Sequence, residues 1–347
     1  MAKKVYVGLS GGVDSSVTAA LLIQQGYEVT GVYMKNWSKD LPGFPCPWKQ
    51  DYQDAKRVAV QLKIPFKMYD FEKQYRQKVV DYMVAEYVAG RTPNPDIMCN
   101  QEVKFKLFLQ TALEDGADLI ATGHYAKTTG GKLFKAKDAN KDQTYFLYRV
   151  SQASLKKTLF PLGELTKPQV RELAKKFGLV TAAKKESMGI CFVGKVGIKE
   201  FLINELGPQK PGKIISQTGQ TIGTHDGAIF YTIGQRHGLD VGGGLPYYVT
   251  GKNMNSNEVY VTTDLDDKKL WTINLKLTDL HWIDEQPSYT KTYQIRTRHR
   301  APMISAGLEK SGDNLVVKLG DEIRAATAGQ SAVIYDNDLV LGGGVII

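Results

Sequence analysis

Gly8-Leu9-Ser10-Gly11-Gly12-Val13-Asp14-Ser15-Ser16 joins an apolar run to a helix-forming one. Gly11 and Gly12 permit positive φ and let a ligand approach the backbone closely. Successive amides there can form an anion-binding nest at the positive end of the following helix. Ser10, Ser15 and Ser16 add hydroxyl donors, and Asp14 suits a magnesium ion carried by phosphates. The segment is not the G-x-x-x-x-G-K-[ST] loop, because no lysine follows the glycines, nor is it the G-x-G-x-x-G dinucleotide fingerprint. The plainer alternative is a glycine-rich turn closed by a Ser/Asp helix cap.

A second group is built on thiols. Gly90-Arg91-Thr92-Pro93-Asn94-Pro95-Asp96-Ile97-Met98-Cys99-Asn100 carries two prolines that exclude a helix up to Pro95. Asp96 is expected to cap the next helix, with Cys99 about one turn in. Amide dipoles there favour a thiolate, while Asp96 opposes it electrostatically but can shuttle a proton. Cys191 follows Lys184 and Lys185, whose charges favour a thiolate, and Gly189 and Gly194 suggest a movable loop. Each cysteine also reads as a small buried apolar side chain. The chain has 3 cysteines, Cys46 being the other, and no C-x-x-C pair. That argues against a secreted disulfide scaffold, a structural zinc site or a cysteine-only iron–sulfur cluster.

The elements that must position these residues alternate. Lys4–Leu9, Glu28–Met34, Phe66–Phe71 and Asp118–Gly123 read as strands. Helices are expected over Asp14–Gln25, Asp51–Leu62, Lys73–Val88, Gln101–Glu114 and Leu165–Phe177. This rhythm predicts a parallel sheet covered by helices. Beyond about residue 195, Pro208, Pro211 and Gly212 mark a break, and Lys213–Val261 is rich in Gly, Thr and Tyr. From about Leu270, short strands dominate: Trp271–Leu277, Thr292–Thr297, Leu315–Leu319, Ser331–Tyr335 and Val340–Leu341. They suit a small antiparallel barrel or sandwich.

The 347 residues suit two or three domains. Lys and Arg number 45 against 36 acidic residues, a formal charge of +9 that suits a polyanionic partner. Lys141, Arg296, Arg298 and Arg300 are candidate phosphate contacts, the last three alternating as on one strand face. No apolar run approaches the roughly 18 residues of a membrane helix. Met1-Ala2-Lys3-Lys4-Val5 shows no apolar signal region, so cytoplasmic residence is expected.

The ordered motifs S-G-G-V-D-S, N-P-D-I-M-C-N, A-T-G-H-Y, K-D-Q-T-Y-F-L, G-I-C-F, I-G-Q-R-H-G-L and G-Q-S-A-V…L-G-G-G span essentially the whole chain. The first resembles the loop of the ATP pyrophosphatases. Together they resemble the bacterial tRNA-specific 2-thiouridylases. The resemblance implies an adenine nucleotide alpha hydrolase-like α/β fold: an N-terminal parallel sheet with helices on both faces (1–195), a small central tRNA-contacting domain (196–264) and a C-terminal antiparallel β-barrel (265–347).

It implies that Gly8, Leu9, Ser10, Gly11, Gly12, Val13, Asp14, Ser15, Met34 and Gly123 bind ATP with its magnesium. Asn94, Pro95 and Asp96 would hold the target base, with Asp96 also catalytic. Cys99 would be the nucleophile and Cys191 the persulfide carrier, with sulfur released either through a transient Cys99–Cys191 disulfide or as free sulfide. His124, Lys141, Asp142, Gln143, Arg298, His299 and Gln330 would meet tRNA. The family often has Arg-Tyr where this chain has Arg298-His299, which leaves a ring for stacking. His237 reads equally as a turn residue or an RNA contact, and Cys46 matches no functional position. A cysteine desulfurase or sulfur-relay protein would supply sulfur. Two other readings stand beside this one: an amidotransferase-linked synthetase, which needs neither Cys99 nor Cys191, and a nucleotide- or tRNA-binding module that releases no AMP.

Overall fold

A computed structural model describes residues 2–43, 45–185, 197–242 and 244–347. Cys191 and its G-I-C-F motif lie outside the described residues.

Strands β1 (Lys4–Gly8), β2 (Glu28–Lys35), β3 (Phe66–Asp70) and β4 (Leu119–Ala121) are followed by a hairpin, β5 (Lys127–Thr129) and β6 (Lys132–Phe134), and by β7 (Thr158–Leu159). The first sheet has the order β3-β2-β1-β4-β7, and every pair in it is parallel. Its strands are apolar on both faces because helices cover both. Val5, Val7, Val29 and Tyr33 bury against Ala19 and Leu22 of α1 (Val13–Gln24) and Ala55, Val58 and Ala59 of α2 (Trp48–Gln61). Tyr6, Val32 and Ile120 face the other way, onto Met83, Val103 and Phe108 of helical runs 72–88 and 95–114. The strand order reverses direction between β1 and β4. In such sheets the crevice beyond the carboxyl ends at that point receives ligands.

The central region forms a four-stranded sheet from β8 (Gly212–Ile215), β9 (Thr221–His225), β10 (Tyr248–Asn253) and β11 (Glu258–Thr262). The last region contains β12 (Trp271–Trp282), β13 (Thr292–Arg296), β14 (Ile304–Ser311), β15 (Asn314–Arg324), β16 (Ser331–Asp336) and β17 (Leu339–Ile346). The order β12-β15-β14-β13-β16-β17 closes through β12–β17 pairing, so these strands form an antiparallel barrel rather than a sandwich. Leu275, Leu277, Ile295, Val317 and Ile334 fill its centre. Closure removes sheet edges that would otherwise need protection.

The hairpin of β5 and β6 was not expected. Gly130 and Gly131 turn it, both at positive φ (62° and 83°). It adds to the barrel: Phe134 pairs with Leu339 and Leu133 with Val340. Tyr145, Tyr148, Val333, Tyr335 and Val340 share one apolar core across this junction. The Tyr145 hydroxyl donates to the Thr297 and Ser331 carbonyls at 3.1 and 3.0 Å. The N-terminal unit and the barrel are therefore one packed body.

Candidate active site

The glycine-rich loop opens at the carboxyl end of β1. The Leu9 amide donates to the Val32 carbonyl at 2.8 Å, holding the loop to the sheet before it turns. Gly11 has φ of +74° and lies where any Cβ would collide with the Asp51 carbonyl. Gly12 precedes α1 with no side-chain cap, leaving amides at the helix start for a ligand.

The hydroxyls divide in a way the sequence did not reveal. Ser15 Oγ accepts from the Ser10 amide at 3.2 Å and donates to the Gly12 carbonyl at 3.1 Å. Ser16 Oγ donates to that same carbonyl at 2.8 Å. Both serines are buried and shape the loop, so Ser10 is the exposed hydroxyl of the three.

Met34 and Gly123 close on this loop from β2 and from just beyond β4. A Cβ on Gly8 would sit 3.0 Å from Met34 Cε, and one on Gly123 would sit 2.8 Å from the Ser15 amide nitrogen. A side chain at 123 would displace loop backbone, not a movable tip. The predicted ATP residues thus converge at the β1/β4 reversal.

Asp14 has partners that sequence reading missed. Lys167 Nζ donates to both its carboxylate oxygens, at 2.7 and 2.8 Å, and the Tyr125 hydroxyl donates to Oδ1 at 3.0 Å. Lys167 opens the helix Lys167–Lys176, whose capping box uses Thr166 and Gln169. That box was a legible signal for the helix start, though not for its aim at Asp14.

The second group lies on run 95–114. Asn94, not Asp96, is the cap: its Oδ1 accepts from the Asp96 amide at 3.2 Å, and Pro95 takes the first helical position. Proline suits that position because its missing N–H needs no partner there. Cys99 is 1% exposed. From Cys99 to Leu107 the helix widens, its end marked by the Phe108 amide donating to the Val103 carbonyl five residues back. Asn100 Nδ2 donates to the Phe146 carbonyl at 3.0 Å.

Asp96 is half-buried, and desolvation pushes its carboxyl above the ordinary value, with the Lys104 charge pulling the other way. His124 is buried beside Phe105 and Phe160, its Nδ1 2.8 Å from Thr122 Oγ1 and its Nε2 3.5 Å from Lys104 Nζ. Burial, and then Lys104, hold this imidazole well below its ordinary value, so it is neutral.

The predicted RNA contacts separate. Asp142 is 2% exposed and accepts from Arg296 Nη1 at 3.0 Å, from Thr144 Oγ1 at 2.8 Å and from the Ala136 amide at 3.0 Å. This buried carboxylate and Arg296 join the N-terminal unit to the barrel. Arg296, Arg298 and Arg300 do not alternate on one strand face, because β13 ends at Arg296 and the chain turns, with Arg300 at φ of +63°. Arg298 donates to the Ala325 carbonyl, and Arg300 Nε to the Asn140 carbonyl at 2.9 Å.

His299 stacks on Phe146 with ring centroids 4.7 Å apart. Gln143 Oε1 accepts from the Tyr125 amide at 3.0 Å, and Lys141 is half-buried. Gln330 Nε2 donates to the Thr92 carbonyl at 2.7 Å. Exposed His237 accepts at its carbonyl from Gln235 Nε2 at 2.9 Å. Cys46 Sγ donates to the Trp37 carbonyl at 3.7 Å. Among the described residues, no cluster of three or more His, Cys, Asp or Glu is placed to hold a metal, and no helix is long and apolar enough to cross a membrane.

Three family models match in chain order: a tRNA methyl transferase HUP domain over residues 3–195, a tRNA methyl transferase PRC-barrel domain over 199–263, and an aminomethyltransferase beta-barrel domain over 272–346. The tRNA-specific 2-thiouridylase MnmA of Geobacillus thermodenitrificans is 46% identical over 99% of this chain and 94% of its own length. The chain belongs to the tRNA-specific 2-thiouridylase family. The Streptococcus sanguinis 2-thiouridylase is likewise 46% identical, over 99% of this chain and 95% of its own. Among solved structures, NMN synthetase from Francisella tularensis aligns over 53% of this chain and 66% of its own, with 19% identity and a TM-score of 0.35.

Proposed function

We propose that this protein is an ATP-dependent tRNA-uridine 2-sulfurtransferase, acting in the cytoplasm on the wobble uridine of the tRNAs for Lys, Glu and Gln. One observation carries the reading. Gly123 packs on the glycine-rich loop, and the next residue, His124, meets Lys104 on the helical run that bears Cys99. This proximity supports a reading in which a nucleotide's α-phosphorus and the Cys99 thiol serve one crevice.

The 2-oxygen of the uridine attacks the α-phosphorus of ATP, forming an O–P bond and expelling pyrophosphate. Amides at the start of α1 and the Ser10 hydroxyl suit the departing phosphates. The Asp14 carboxylate, held by Lys167 and Tyr125, would hold a phosphate-borne magnesium on exchanging the Lys167 contact, and the ion would supply charge neutralisation. Adenylation turns a poor leaving group into AMP.

A cysteine desulfurase or relay protein loads sulfane sulfur onto Cys191. The persulfide's outer sulfur attacks C2 of the base, and AMP departs with the C–O electrons. The Cys99 thiolate attacks the Cys191 sulfur, breaking the S–S bond, so that sulfur stays on the base and a Cys99–Cys191 disulfide remains for an external thiol to reduce. A base reaching this crevice must leave its stack, and Asn94, Pro95 and Asp96 line its approach. Arg298, His299, Lys141, Gln143 and Gln330 are the proposed tRNA contacts.

Incubation with ATP, tRNA and a persulfide donor should yield AMP and 2-thiouridine together. Cys99→Ser and Cys191→Ser should each abolish thiolation and leave thermal melting unchanged. Full thiolation by either variant would overturn the scheme.

A further inference from the structure

Cys99 is buried, and burial alone disfavours a charged thiolate. A thiol in such a place needs a compensating positive charge to act as a nucleophile. The helix supplies a candidate by its shape. In an α-helix, residues five apart point roughly 140° away from each other. The widened run Cys99–Leu107 pairs residues five apart, as the Phe108-to-Val103 bond shows, and brings the fifth residue nearly back over the first. Lys104 is the fifth residue after Cys99. Its ammonium lies 3.5 Å from His124 Nε2, and its charge acts on both Asp96 and His124.

We propose that Lys104 is a positioning residue for thiolation: from the same face of the widened helix, its ammonium holds Cys99 as the thiolate that attacks the Cys191 sulfur. This assignment rests on the sulfur-transfer reading above and adds to it a residue that the motif resemblance did not name. The widened turn is then functional, because a regular helix would turn the cation away from the thiol.

The test compares wild type, Lys104→Met and Lys104→Arg as full-length proteins. Alkylation of Cys99 by iodoacetamide at pH 7, read on the Cys99 peptide by mass spectrometry, should slow at least about tenfold in Lys104→Met and recover to within about threefold in Lys104→Arg. In single turnovers with ATP and tRNA, Lys104→Met should release pyrophosphate at the wild-type rate yet form 2-thiouridine about 100-fold more slowly, because activation precedes the thiolate's step. If Lys104→Met melts well below wild type, Lys104→Gln carries the same comparison.

Equal alkylation in wild type and Lys104→Met, or equal loss of pyrophosphate release and thiolation, would overturn the proposal. Lys104-dependent alkylation in a wild-type protein that makes no 2-thiouridine would instead overturn the sulfur-transfer reading while leaving the electrostatic assignment standing.

Discussion

The side-chain amide of Gln330, in the barrel, donates to the backbone carbonyl of Thr92 at 2.7 Å, and to that of Pro93 at 3.3 Å. The Thr92 amide in turn donates to the Ala328 carbonyl at 2.9 Å. The barrel thus grips the chain immediately before Asn94, Pro95 and Asp96. Gln330→Ala should loosen that segment without emptying the core. A lost pair of hydrogen bonds of this kind is worth about 1–2 kcal/mol, so kcat/KM for tRNA thiolation should fall about tenfold. Steady-state kinetics with tRNA varied will measure this, with ATP KM expected to stay within about twofold.

Lys167 and Asp14 give a second expectation. Lys167→Met removes two hydrogen bonds from the Asp14 carboxylate and a positive charge from the edge of the glycine-rich loop. AMP formation should drop at least about tenfold. Tyr125→Phe, which removes only the 3.0 Å hydroxyl bond, should cost less. Pyrophosphate release at saturating tRNA distinguishes the two.

Arg296 and Asp142 provide a stability test. Their ion pair is buried on both sides. Arg296→Met strands a carboxylate away from water and should destabilise the fold by about 3–5 kcal/mol in urea titration. The double variant Arg296→Met/Asp142→Asn should recover part of that loss, since no charge is then left uncompensated.

His124 predicts a pH dependence. Its folded-state value lies well below 6.5, so below pH 6.5 the unfolded chain takes up a proton that the folded chain refuses. Stability is therefore present above pH 6.5 and is lost as pH falls, by about 1.4 kcal/mol per pH unit once well below it. His124→Gln should flatten this slope. His225, His281 and His299 are also held low by burial, but they are common to both proteins, so the difference in melting between pH 7.5 and pH 5.5 isolates His124.

The parallel sheet and its helices were legible because apolar runs and helical periods alternate plainly from Lys4 to Lys176. The glycine-rich loop was legible because its function needs residue types that little else needs. What escaped was set by distant partners. Lys167 looks like an ordinary first-turn lysine until folding brings Asp14 beneath it. Asp142 and Arg296 look like surface charges until two domains close over them. β14 (Ile304–Ser311) escaped because Ser305, Gly307, Glu309 and Lys310 leave too few apolar residues to mark a strand, although Ala306 and Leu308 face the barrel core. The cap fell to Asn94 rather than Asp96 because Pro95 takes the first helical turn more readily than any position before it.

The hairpin that carries Leu133 and Phe134 into the barrel's ladder has a mechanical meaning. Strands β5 and β6 leave the N-terminal unit just after β4 and join the same ladder as β17, so the two parts share hydrogen bonds as well as an apolar core. On the proposed function, a tRNA held by both parts would itself do the bending.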